Sequence, residues 1–422
     1  MRKFGLGTLG LALLVGAVAG AAETGKARTL LLTTGSAEAK ARVIEAMTKV
    51  ENFEPAARVK ELAKQALGAD PDFAFAHYLV GTTTQPTAEG KPFIEKALAL
   101  AKNASPGEQR YLEAAMLNRS SKPREALAIL TQLRADFPDD RMVTMLLGQI
   151  QLGQGQLDEA KAAFEQAIAF DATTARAYAL LGNVHLLLGN YGQARELFEA
   201  AKARKAADAA PGSIFYGIAF SHLYEGHPDP ALESLQTFLG EYRRTGGFPG
   251  LPEVFIWNSM ARINLENGRM DEAMKKYESG FESVPGSGLS EADKQIWLGR
   301  LHHGRGRTLA RMGRHQKAWR EAEVIQKMID EGGDAGKRFV PAYHYLVGYL
   351  KLEAGDFKAA IEHLTQSNEL DPDPFRELLL ARAYEKAGDK AAARKTYQQI
   401  VDSKQNNIER ALAFPEAKRK LG

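Results

Sequence analysis

The sequence predicts an all-α fold, a superhelical solenoid of stacked antiparallel helix pairs. Three observations lead there. First, the segment Met145 to Ile168 returns further along the chain: Gly148, Gly155, Ala160 and Phe164 stand 34 positions before Gly182, Gly189, Ala194 and Phe198. A period of that length holds one helix-turn-helix unit. Second, an alanine recurs at Ala126, Ala160, Ala194, Ala231, Ala273, Ala318, Ala360 and Ala393. Third, seven of these eight alanines follow a glycine by five places: Gly155, Gly189, Gly226, Gly268, Gly313, Gly355 and Gly388.

Each residue type has a physical reason to recur. A glycine at the end of the first helix can take the left-handed conformation that caps it and lets the chain reverse. The alanine early in the second helix is small, so the paired helices approach closely. Four places on, Phe164, Phe198, Tyr277 or Tyr397 fills the space against the next pair. One pair cannot bury its apolar face alone, so pairs must stack into a curved array.

These marks resemble the tetratricopeptide repeat. The copy at Trp257 to Pro285 supplies Trp257, Ala261, Gly268, Ala273, Tyr277, Gly280 and Pro285 at matching places, and Pro138 and Pro372 close two other copies. Leu130, Leu235, Leu364 and Ala322 stand where the aromatic is expected, and the alanine spacing stretches to 42 or 45 between Ala231 and Ala360.

In chain order, residues 1–22 form a secretory signal peptide. Arg2 and Lys3 precede an apolar run with small-residue sites at Ala17-Val18-Ala19 and Ala19-Gly20-Ala21. An uncleaved anchor is the alternative, since Phe4 to Ala22 is uncharged. Residues 23–106 are an N-terminal helical region of degenerate repeats, and 107–210 hold regular repeats. Residues 211–407 carry repeats with longer Gly/Pro-rich or polar inserts at Gly240 to Glu253, Glu282 to Asp293 and Glu331 to Val340. Residues 408–422 are left as a C-terminal tail. No later segment is apolar for long enough to span a membrane, so the mature chain is expected to be exported, soluble and periplasmic or otherwise extracytoplasmic.

Lysine plus arginine number 55 against 52 acids, or 53 against 52 once Arg2 and Lys3 are set aside. So even a balance argues against nucleic acid as a partner. With no cysteine there is neither a disulfide framework nor a covalent thiol. No phosphate loop, zinc helix or nucleophile elbow occurs, and neither a cofactor nor a metal is expected. His185 lies in a repeat helix without a second ligand residue three or four places away, so it is expected to pack or to line the groove. From Lys294 to Arg320 eight cations occur without an acid. Such a run is either a solvated face balanced by neighbouring repeats or an anion-binding surface.

The resemblance implies that first helices line a concave groove. Carried over copy by copy, the groove positions are Met142, Met145 and Gln149, then Arg176 and Asn183, then Tyr216 and Phe220. Phe255, Asn258 and Arg262 follow, then His303 and Arg307, Tyr345 and Tyr349, and lastly Arg382. Aromatic, methionine and arginine side chains are those enriched in interface cores. The lysine-asparagine clamp that some relatives use for a terminal carboxylate is absent except at Asn183. The expected function is a non-catalytic protein-protein interaction scaffold of the cell envelope, its partner a protein or peptide, an acidic one included. A protein binding an anionic polysaccharide or glycan is the alternative, and an enzyme with an unrecognised site is the third reading. Arg262 and Arg307 are expected to be exposed, so reversing their charge should change binding and leave stability almost untouched.

Overall fold

The computed structural model describes residues 28–204, 211–248 and 251–422; the expected signal segment lies outside them. Among the described residues the elements are helices, with one isolated bridge between Phe248 and Leu251. Consecutive helices pack as pairs, from Ala37–Glu51 with Ala56–Ala69 through to Pro374–Ala387 with Lys390–Asp402. No described helix is long and apolar enough to cross a membrane.

The periodic residues do what their chemistry requires. All seven repeat glycines have positive φ, between 72° and 89°, and in the eighth copy Ser121 takes the same turn with φ 59°. A side chain there carries a strain that glycine avoids. The eight alanines are all buried, and so are Phe164, Phe198, Tyr277 and Tyr397. Phe198 lies between two first helices. A Cβ on Gly182 would meet its ring at 3.0 Å, and one on Gly217 of the following pair would collide with it outright. Aromatic bulk and backbone closeness are therefore one packing solution, repeated along the array.

The array curls until distant pairs meet. Asn52, just after the first helix, accepts a hydrogen bond of 3.1 Å from the amide of Ala175, which opens the fifth pair. Residues 408–422 are not a loose tail. They form the helix Ile408–Leu421, capped by the Asn407 side chain, which packs on Gly212–Tyr224, Glu253–Glu266, Pro374–Ala387 and Lys390–Asp402. Ile408, Ala411 and Phe414 join the core of the sixth and seventh pairs, while Ala413 and Ala417 join that of the last three. This helix ties the two sides of the groove together.

At the inner face of the N-terminal half, Glu51 is buried against Arg141, with 2.8 Å between guanidinium and carboxylate. Burial is the largest influence on this carboxyl. It outweighs Arg141 and Arg176 and pushes the pKa from 4.5 up to about 7. The folded chain thus holds a proton that the unfolded chain releases in this window. The contribution is complete below pH 4.5 and is lost as pH rises through about 7. A Glu51→Gln chain should lose less stability than the parent between about pH 5 and about pH 8 in urea unfolding. Equal pH slopes for the two chains would remove Glu51 as the cause.

Candidate functional site

The groove and the C-terminal helix together enclose a cavity of about 770 Å³. Of the fourteen groove positions from Met145 to Arg382, nine line it. Asn183, Tyr216 and Phe220 come from the fifth and sixth pairs, Phe255, Asn258 and Arg262 from the seventh, and His303, Arg307 and Tyr345 from the eighth and ninth. Five lie elsewhere. Met145 is buried with Leu157, Phe164 and Leu181. Gln149 is half-buried on the same helix. Arg176 lies near Glu51, where burial lowers its pKa. Tyr349 is 1% exposed, beneath Arg307. Arg382 forms a two-pronged pair with Glu416 of the C-terminal helix, at 2.9 and 2.6 Å. Met142 is partly buried against the N-terminal core.

One wall is aromatic. The Tyr216 ring lies 5.6 Å from those of both Phe220 and Phe255, and its hydroxyl is 3.1 Å from Ser259 Oγ. The other wall is built from guanidinium groups. Arg307 is 2% exposed and donates to the hydroxyls of Tyr345 and Tyr277, each at 3.1 Å, with Glu266 3.6 Å away. Burial is the strongest influence on Arg307 and opposes its charge, but these neighbours hold its pKa above the ordinary value. Arg262 pairs with Glu409 and lies over Phe375. Arg376 pairs with Asp371 and also reaches the backbone carbonyl of Ser367, at 3.1 Å. The His303 ring lies 4.4 Å from that of Tyr345, tilted by 55°. Burial, then Arg307, Arg262, Arg376 and Arg300, hold its pKa well below the usual histidine range, so the imidazole is neutral.

The expectation that Arg262 and Arg307 are exposed is therefore corrected: Arg307 is buried, Arg262 is only 13% exposed, and both are paired. Both lie on first helices, where Glu409 and Glu266 reach them as the array curls. The cation run is partly balanced by acids. Lys294 meets Glu291, Arg305 meets Glu321, and both Arg307 and Arg311 meet Glu266 of the preceding pair. His185 is 2% exposed and packs, with Nδ1 3.3 Å from Asn190 Nδ2.

The cavity also takes residues that periodicity did not single out for it. Arg338, Asp371, Asp373 and Arg376 come from the connections and the first turn of a helix, and Asn406, Asn407 and Glu409 from the C-terminal segment. The faint signal for the last group was Asn407 in capping position before Ile408 and Glu409. Outside the groove, His222, Glu225 and His227 bring one ligand atom each within 4.8 Å of one another, and Arg195 already pairs with that glutamate.

A stack of helix pairs whose first helices line one groove defines a helical-repeat binding scaffold. Residues 117–184, 151–213 and 351–414 match the family model described as tetratricopeptide repeat, so the chain carries tetratricopeptide repeats in these segments. No curated protein matches it. Similar solved structures include a tetratricopeptide repeat protein from Parabacteroides merdae, 14% identical over 63% of this chain and 98% of that one, with a TM-score of 0.38. A human IFIT1 dimer with PPP-AAAA is 15% identical over 89% of this chain and 97% of that one, TM-score 0.41. YrrB, a TPR protein with an unusual peptide-binding site, is 20% identical over 50% and 92%, TM-score 0.33.

Proposed function

We propose that this chain is an exported, non-catalytic interaction scaffold that takes a segment of a partner protein into the cavity between its concave groove and its C-terminal helix. The observation that carries this is the convergence of nine groove positions on one cavity lined by aromatic rings and arginines. Such side chains offer large apolar contact area beside directed donors, the combination that dominates interface energetics. The fold supports a scaffold in general, and the charged start, apolar run and small-residue sites of residues 1–22 support export.

A photoreactive residue at Asn258, which lines the cavity and is only half-buried, tests both parts in the living cell. A discrete crosslinked partner is expected, on a chain whose measured mass lacks the first 19 to 22 residues. Absence of any crosslinked protein would overturn the groove assignment. An intact Met1 on chain recovered from the cytosol would overturn export.

A further inference from the structure

The cavity has an unequal charge balance. Arg262, Arg300, Arg307, Arg338 and Arg376 line it, against Asp371, Asp373 and Glu409. The three inner arginines each have a carboxylate of this chain: Glu409 for Arg262, Glu266 for Arg307 and Asp371 for Arg376. Arg300 and Arg338 have none within ion-pair distance among the described residues. Arg300 lies over the Trp297 ring at 4.6 Å, and Arg338 donates from Nε to the carbonyl of Ala335, its neighbour in sequence, at 2.8 Å. Both are exposed, on the helix Glu291–Arg311 and on the short turn Lys337–Phe339. Beside them, His303 Nε2 is buried and has no hydrogen-bond partner. The aromatic wall of Tyr216, Phe220 and Phe255 lines the same cavity, and Phe255 meets the Trp297 ring that Arg300 covers, at 6.3 Å.

We propose that the cavity recognises an internal acidic segment of its partner, with two side-chain carboxylates on Arg300 and Arg338 and an apolar side chain between them against Tyr216, Phe220 and Phe255. This rests on the groove being the partner site. The inner arginines show how the cavity holds carboxylates: each guanidinium is matched by one, and the ligand completes the two pairs the chain leaves open. Planar guanidinium groups favour carboxylate geometry over a bare point charge. The volume, about 770 Å³, lies within the range of about 300–1,000 Å³ that suits small ligands, room for a few residues of a partner.

Calorimetry on the full chain tests this with three probes: a capped Glu-Phe-Glu peptide, its Gln-Phe-Gln counterpart, and phenylsuccinate as a free dicarboxylate. With blocked termini, terminal-carboxylate recognition plays no part. The acidic peptide should bind, the amide peptide should not, and Arg300→Gln with Arg338→Gln should weaken binding about tenfold, as expected for two partly exposed ion pairs. Both side chains are exposed, so the unfolding midpoint of that variant should match the parent. Equal binding of the two peptides, or affinity unchanged in the double variant, would overturn the acidic segment while an Asn258 crosslink still stood. Phenylsuccinate binding as tightly as the peptide would overturn the segment in favour of a free dianion. Loss of the crosslink as well would remove the groove reading itself.

Discussion

An Arg262→Glu chain is expected to lose about 3–5 kcal/mol of stability, the cost of leaving a buried charge without its partner. Arg262 is 13% exposed and pairs with Glu409, which is 20% exposed, so the attraction acts where water screens it little. Burial works against the charge on Arg262 most, yet Glu409 keeps its pKa above the ordinary arginine value. Burial likewise opposes the charge on Glu409, and Arg262 outweighs it to hold that carboxyl below its usual range. A glutamate at 262 would face Glu409 and Asp373 and would take from Glu409 its ion-pair partner. Urea unfolding measures the loss, and Glu409→Arg in the same chain should restore part of it. A midpoint close to that of the parent would mean that the pair contributes nothing and that the groove is wetter than its burial indicates.

Ending the chain at Asn407 should cost more still, roughly 5 kcal/mol or more, from the apolar contacts and the two charge pairs together. The cut removes Ile408 and Phe414 from the core and exposes Tyr224, whose ring Phe414 meets edge-on at 5.3 Å. It also takes away Glu409 and Glu416, leaving Arg262 and Arg382 unpaired. Repeat arrays lose structure locally, so the effect should concentrate on Gly212–Tyr224, Glu253–Glu266, Pro374–Ala387 and Lys390–Asp402, the helices that this segment touches. Hydrogen exchange resolved along the chain reads it directly. Faster exchange in those four helices, with the N-terminal pairs unchanged, is the expected pattern. Uniform protection would show that the C-terminal helix is an appendage and leaves the cavity without its wall.

Much of the site was legible in sequence because the repeat places first-helix residues by counting. Tyr216, Asn258, His303 and Tyr345 come from equivalent places in successive copies, each 15 positions before its repeat alanine, and all reach one cavity. Met145 and Tyr349 were chosen by the same count and are packed away instead, because the tight curl of the array presses neighbouring first helices together at those points. Arg300 and Arg338 could not be told from the rest of the cation-rich stretch. Only the positions of Glu266, Glu321 and Glu291 show which cations are already matched.

The sequence by itself determined the helix pairs, their turns and their stacking. A capping glycine, a small alanine and a bulky neighbour act within one repeat and its next, so a linear pattern specifies them. Tertiary structure alone decided that Ile408–Leu421 closes the groove, that Asn183 meets Asn406 at 3.0 Å across 223 positions, and that Arg262 is buried against Glu409 across 147. Such contacts depend on the accumulated curvature of many repeats. Each repeat adds a small rotation that its own residues do not reveal, and the sum sets which distant side chains meet and which charges remain open to a partner.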